Sequence, residues 1–70
     1  MEFMQTMLAI QKATLAARER TGDKCLSTRA EAGKLQVVRV VQKGKRDDYD
    51  VFPVSGYLPI SDAISAIEAL

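Results

Sequence analysis

The chain has no histidine, no tryptophan and a single cysteine, Cys25. Each absence removes a chemistry. Without histidine the usual general acid–base of neutral pH is missing. Cys25 has Lys24 beside it but no imidazole to activate it as a nucleophile. One cysteine allows no internal disulfide, and without histidine it makes no zinc staple. The four glycines stand singly at positions 22, 33, 44 and 56, so no glycine-rich phosphate loop is formed. Cys25 is therefore expected to be a half-buried structural residue, and no catalytic residue, metal or cofactor is assigned.

The N-terminus reads Met1-Glu2-Phe3-Met4, with an acid where a secretory leader carries a base. No stretch approaches the ~20 apolar residues of a membrane span. These features predict a cytoplasmic, non-enzymatic protein with no membrane association and no small-molecule substrate.

What remains is a chain of 70 residues, 47% hydrophobic and 27% charged. That composition is globular and the length suits one domain, residues 1–70. A domain this size buries only ~60% of its unfolded surface, so its stability margin is thin. Disulfide and zinc being excluded, oligomerisation is the remedy left to it.

The ten bases all lie at or before Arg46. Residues 21–46 hold seven bases and two acids, and residues 47–70 hold five acids and no base. The blocks meet at Lys43-Gly44-Lys45-Arg46-Asp47-Asp48-Tyr49-Asp50. A two-residue turn at Gly44-Lys45 would set Arg39 opposite Asp50 as a cross-strand ion pair and Val37 opposite Phe52. Asp47, Asp48 and Asp50 are read as a strand-end charge cluster, because no loop supplies further oxygens for a cation.

The pattern predicts an α+β domain of order α-β-β-β-α, a three-stranded antiparallel meander with the N- and C-terminal helices packed on one face. The first helix spans Glu2 to Arg20 and ends at Gly22. Phe3, Met7, Ile10 and Ala17 flank one side of its apolar arc, and Met4, Leu8 and Leu15 the other. Ala13 and Arg20 fall on the opposite, solvent arc. Strands are expected at Lys24–Ala32, Leu35–Lys43 and Asp48–Val54, with a type II′ turn at Gly33-Lys34 and a loop at Ser55-Gly56. Pro53 marks the third strand as an edge or as ending there. The second helix begins at Ser61 as N-cap and carries an Ile60, Ala63, Ile64, Ile67 and Leu70 stripe.

Two features predict a protein partner or self-association as a homodimer. Strand two is apolar on both faces, and two helices cover only one, which leaves Val38 and Val40 as a contact face. The polar stripe Gln11, Thr14 and Arg18 interrupts the first helix's apolar arc and is the second candidate surface. The alternative is a nucleic-acid-binding module using a basic hairpin, with Arg29, Lys34, Lys43, Lys45 and Arg46 on phosphates.

The element order resembles that of double-stranded-RNA-binding domains, which carry a Lys-rich cluster at the start of their second helix. Here that place reads Ser61-Asp62-Ala63-Ile64, which is acidic. Val51-Phe52-Pro53 through Gly56 to Ser61-Asp62-Ala63-Ile64 is similar, with a different spacing, to the strand-then-helix stretch of HicB-type antitoxins. By elimination, and from the two-faced strand, the chain is expected to be a small regulator or inhibitor, and in size and order it resembles phage and mobile-element factors.

Overall fold

A computed structural model describes residues 3–44 and 48–70. The order is α1 (Phe3–Thr21), β1 (Leu26–Glu31), β2 (Lys34–Gln42), β3 (Tyr49–Pro59) and α2 (Ile60–Glu68). The strands form one antiparallel sheet in the order β1-β2-β3. Both helices lie on the same face of it, as the α+β expectation had them. Among the described residues no helix is long and apolar enough to cross a membrane.

The core forms because Leu26, Leu35, Val37 and Leu58 share one face of the sheet by register. Ala17, Leu26, Val37 and Ile67 make one buried cluster, with Ala13 packed against it. Ile10, Leu35 and Ala63 make the second, flanked by Leu58, Ile60 and Ile64. Alanines at 13, 17 and 63 let the two helices approach closely over the sheet. Ala13 therefore belongs to the core side, not to the solvent arc where the periodicity placed it.

Gly22 ends α1 in a left-handed conformation, φ 72°, which a glycine adopts without penalty. Arg20, expected in solvent, crosses to α2. Its guanidinium donates to the carbonyls of Ile67 at 3.0 Å, Glu68 at 3.2 Å and Leu70 at 2.9 Å. Those carbonyls close the C-terminal end of α2, where backbone donors run short, and a cation there also complements the helix dipole. At its other end α2 starts after Pro59 with no side-chain cap. Ser61, expected as the cap, lies inside the first turn, where its carbonyl accepts from Ser65 Oγ.

Both turn assignments shift. Glu31 pairs with Lys34, so the first turn is Ala32-Gly33. Its φ values, 51° and 74°, are both positive, which makes it type I′ and not the expected type II′ at Gly33-Lys34. In the second hairpin Gln42 pairs with Tyr49 and Val41 with Asp50, so Arg39 faces Phe52. The expected Arg39–Asp50 and Val37–Phe52 pairs are not formed. Lys43 N–H still donates to Asp48 carbonyl at 2.7 Å, so the turn is longer than the two residues expected.

β3 does not stop at Pro53 but runs on through Ser55-Gly56, which the sequence marks as a loop. Val38 faces Pro53 while Gln36 faces Tyr57, so residues 54–56 lie opposite Val37 alone. This bulge is held by Ser55, whose Oγ accepts the Val37 N–H at 3.1 Å. Two extra residues keep the side-chain alternation intact, so Leu58 still turns toward the helices.

Candidate interaction surface

The hydrogen-bond alternation of an antiparallel ladder fixes which backbone groups face each free edge. Val40 N–H donates to Cys25 carbonyl at 2.9 Å, and Lys43 N–H to Asp48 carbonyl. Even-numbered residues of β2 therefore bond β1, and odd-numbered ones bond β3. In β1, Ser27, Arg29 and Glu31 turn inward to β2, which leaves Leu26, Thr28 and Ala30 facing the open edge. Leu26 is covered there: its carbonyl accepts from Arg18 Nε at 2.7 Å. No described residue bonds the outward groups of Thr28 and Ala30.

The other edge is different. In β3 the residues facing outward are Tyr49, Val51 and Pro53. Pro53 has no N–H to offer, and the bulge at 54–56 follows at once. β3 is thus an edge, as Pro53 predicted, and one that is interrupted. β1 contains neither proline nor bulge.

Beside the open edge runs a groove of about 280 Å³ between α1 and β1, lined by Gln11, Thr14, Arg18, Ser27 and Thr28 among others. The three polar residues singled out in the helix are thus brought together. Two of them serve the fold. Thr14 is buried and its hydroxyl donates to Ile10 carbonyl at 2.7 Å, while Arg18 holds the start of β1. Gln11 is exposed. A neighbouring cavity of about 410 Å³ is lined by Phe3, Ile10, Ala30, Leu35 and Ile60, with Lys34 at the strand turn. Met7, Ile10 and Thr28 line both, so the two adjoin along α1.

The apolar arc of α1 is not buried as its periodicity predicts. Ile10, Thr14 and Ala17 face inward. Met4 (69% exposed), Met7 (51%), Leu8 (61%) and Leu15 (53%) face outward along the groove, with Phe3 exposed beyond them. The reason is geometric. α1 meets α2 through its alanine side, and that rotates the large side chains past the edge of the sheet.

The sheet face away from the helices is not the surface expected of it. Val38 is 1% exposed, lying between Ser27 and Pro53 in the ladder, so it is unavailable to a partner in this fold. Val40 is half-buried. Beside them Arg29 Nε donates to Gln36 Oε1 at 2.7 Å, and Gln36 Nε2 donates to Ser55 carbonyl at 3.0 Å. Arg29 also lies 5.8 Å from the Tyr57 ring centroid, a cation–π contact. This three-strand network occupies the face with polar groups already satisfied.

Nor do the basic residues converge. Arg29 is engaged as described, and Lys43 Nζ lies 3.2 Å from Asp50 Oδ2. Lys34 and Lys43 stand at opposite ends of β2, roughly 30 Å apart at the usual strand rise. Lys45 and Arg46, with Asp47, lie outside the described residues. Arg39 pairs with Asp23 at 2.7 Å. A second exposed apolar group, Tyr49, Val51, Phe52 and Val54, lies on the distal part of β3. Cys25 is half-buried and its N–H donates to Asp23 Oδ1 at 3.0 Å.

Compared with protein-family models, with curated proteins and with solved structures, the chain finds no significant match.

Proposed function

We propose that this chain is a small binding protein that acts by protein–protein contact on its α1–β1 side, as a regulator or inhibitor and not as an enzyme. One observation carries the reading. Met7 and Leu15 line the groove with Thr28 at the open strand edge, Met4 and Leu8 extend the same apolar face of α1, and each of the four is more than half exposed. Contiguous apolar surface of this kind is rare on a monomer and marks interaction sites. An unpaired strand edge next to it supplies the main-chain hydrogen bonds by which a partner strand is added. Neither feature helps a nucleic-acid ligand, which would need a continuous basic face.

The test is recovery of partners on immobilised protein, identified and then reconstituted from purified components. Wild type should retain a specific protein, or itself, and the Leu8→Glu, Leu15→Glu double variant should not. Equal recovery on both would discard the reading, and steeply salt-dependent retention of nucleic acid would replace it.

A further inference from the structure

We infer that the occupant of the α1–β1 side is a second copy of this chain, with β1 pairing antiparallel to the partner's β1 across a two-fold axis near Arg29. The inference rests on the protein-contact reading and names the partner.

Three observations converge on it. The first is the edge. The outward N–H and carbonyl groups of Thr28 and Ala30 are two donors and two acceptors on alternate residues. Antiparallel pairing of the strand with itself sets Thr28 opposite Ala30 of the partner subunit, twice, and satisfies all of them. β3 also turns two residues outward, Tyr49 and Val51, but Pro53 and the bulge stop its edge there, whereas the β1 edge has no such break among the described residues.

The second is the position of the apolar stripe. α1 runs antiparallel to β1, with Arg18 over Leu26. Seven helix residues back from Arg18 is about 10 Å, as is three strand residues on from Leu26, so Gln11 falls beside Arg29. The axis that pairs the strands therefore passes the middle of the stripe. It lays the two α1 helices antiparallel, with Met7 and Leu8 of each copy facing Leu15 of the partner subunit. The stripe is self-complementary about the same point as the strand.

The third is area. Five side chains at half exposure or more, Phe3 included, offer on the order of 500 Å² of apolar surface per copy. Two copies bring about 1,000 Å², and the two strand edges with their flanks carry the total into the roughly 1,200–2,000 Å² of a stable interface. The axis sets Arg29 opposite Arg29 of the partner subunit, a like-charge pair that opposes association, and two contacts offset it. Arg29 is held toward Gln36 and Tyr57, and Glu31 of the partner subunit comes diagonally beside it.

The experiment is sedimentation equilibrium across the micromolar range, combined with amide exchange, on wild type, Leu8→Glu, Ala30→Pro and Phe52→Glu. Ala30→Pro removes an N–H that faces the edge and not β2, so the sheet itself keeps its bonds. Circular dichroism establishes that each variant is folded. Wild type should dimerise, with the Thr28 and Ala30 amides protected in the dimer. Leu8→Glu and Ala30→Pro should each weaken it at least about tenfold. Phe52→Glu, on the distal part of β3, should leave it unchanged.

A dimer broken by Phe52→Glu and indifferent to Leu8→Glu overturns the inference, as does a dimer whose Thr28 and Ala30 amides exchange freely. A strict monomer that binds a different protein through Leu8 overturns the second copy while the protein-contact reading stands. A strict monomer with no partner of any kind removes both.

Discussion

Asp23 and Arg39 are 16 residues apart in the chain and 2.7 Å apart in the fold, where they tie the α1–β1 connection to the middle of β2. The Asp23 carboxyl is held below its ordinary value of 3.8 by the hydrogen bond from Arg39 and, after that, by the N–H of Cys25. A depressed carboxyl contributes stability that is present above its ordinary value and is lost as the pH falls through its folded value. Wild type should therefore be more stable than Asp23→Asn above about pH 4, and the two should converge in stronger acid. Urea titrations at a series of pH values read this directly. The pair is solvent-exposed, so added salt should narrow the gap.

The Ala32-Gly33 turn places a non-glycine residue at φ 51°. An alanine in that region is strained, and Asn or Gly is the residue a type I′ turn favours there. Ala32→Asn and Ala32→Gly should each raise stability, by about 0.5–1 kcal/mol for the better of the two. A rise in the thermal midpoint of a few degrees would register it. No gain from either would mean that the turn is not type I′ in solution.

Arg20 caps three carbonyls at the end of α2, of which that of Ile67 also accepts the Leu70 N–H at 3.2 Å. Arg20→Ala should destabilise by about 1 kcal/mol, and Arg20→Lys should recover only part of it, since an ammonium lacks the planar fork. Amide exchange in the last turn of α2 should rise before the rest of the protein loosens. A variant that loses stability uniformly would argue against a local cap.

Ser55 stands in the bulge where a backbone partner for Val37 would otherwise be. Ser55→Ala leaves the Val37 N–H unpaired beside a buried strand and should cost about 1–3 kcal/mol. Ser55→Thr retains the oxygen and should recover most of that loss. Equal losses in both variants would show that the hydroxyl is not the partner.

Val38 provides a contrast with the surface positions. At 1% exposed, Val38→Glu buries a charge without a partner and should unfold the protein. Leu8→Glu places its charge in water and should leave the helical signal intact. Loss of circular dichroism in the first and its retention in the second checks the assignment of core and surface together.

The element order, the shared face for the helices and the glycine stop of α1 are all legible in the sequence, because each follows from periodicity or local stereochemistry. Register is not. The turn at Ala32-Gly33 is one residue earlier than glycine preference alone suggests, because an Ala in a left-handed conformation is invisible to propensity. The bulge at 54–56 reads as a loop, since Ser-Gly breaks a strand pattern whether or not the pairing resumes beyond it. The candidate site was legible in part. Gln11, Thr14 and Arg18 do mark the side of α1 that faces the groove. Met4, Leu8 and Leu15 carry the same periodicity whether they face a core or a partner, and only the close packing of Ala13 and Ala17 against α2 turns them outward. Val38 has the opposite history, an apolar residue on the uncovered face that its own neighbours nonetheless shield.

Pro53 limits growth as well as pairing. A sheet with two open edges can add copies without end, and such head-to-tail stacking is the route to fibrils. Here one margin is open at Thr28 and Ala30, and the other carries a residue, Pro53, that has no hydrogen to donate at the position where the next strand would need one. If association runs through β1, as inferred above, the proline-broken margin disfavours further addition, and an assembly of this chain should end at a pair.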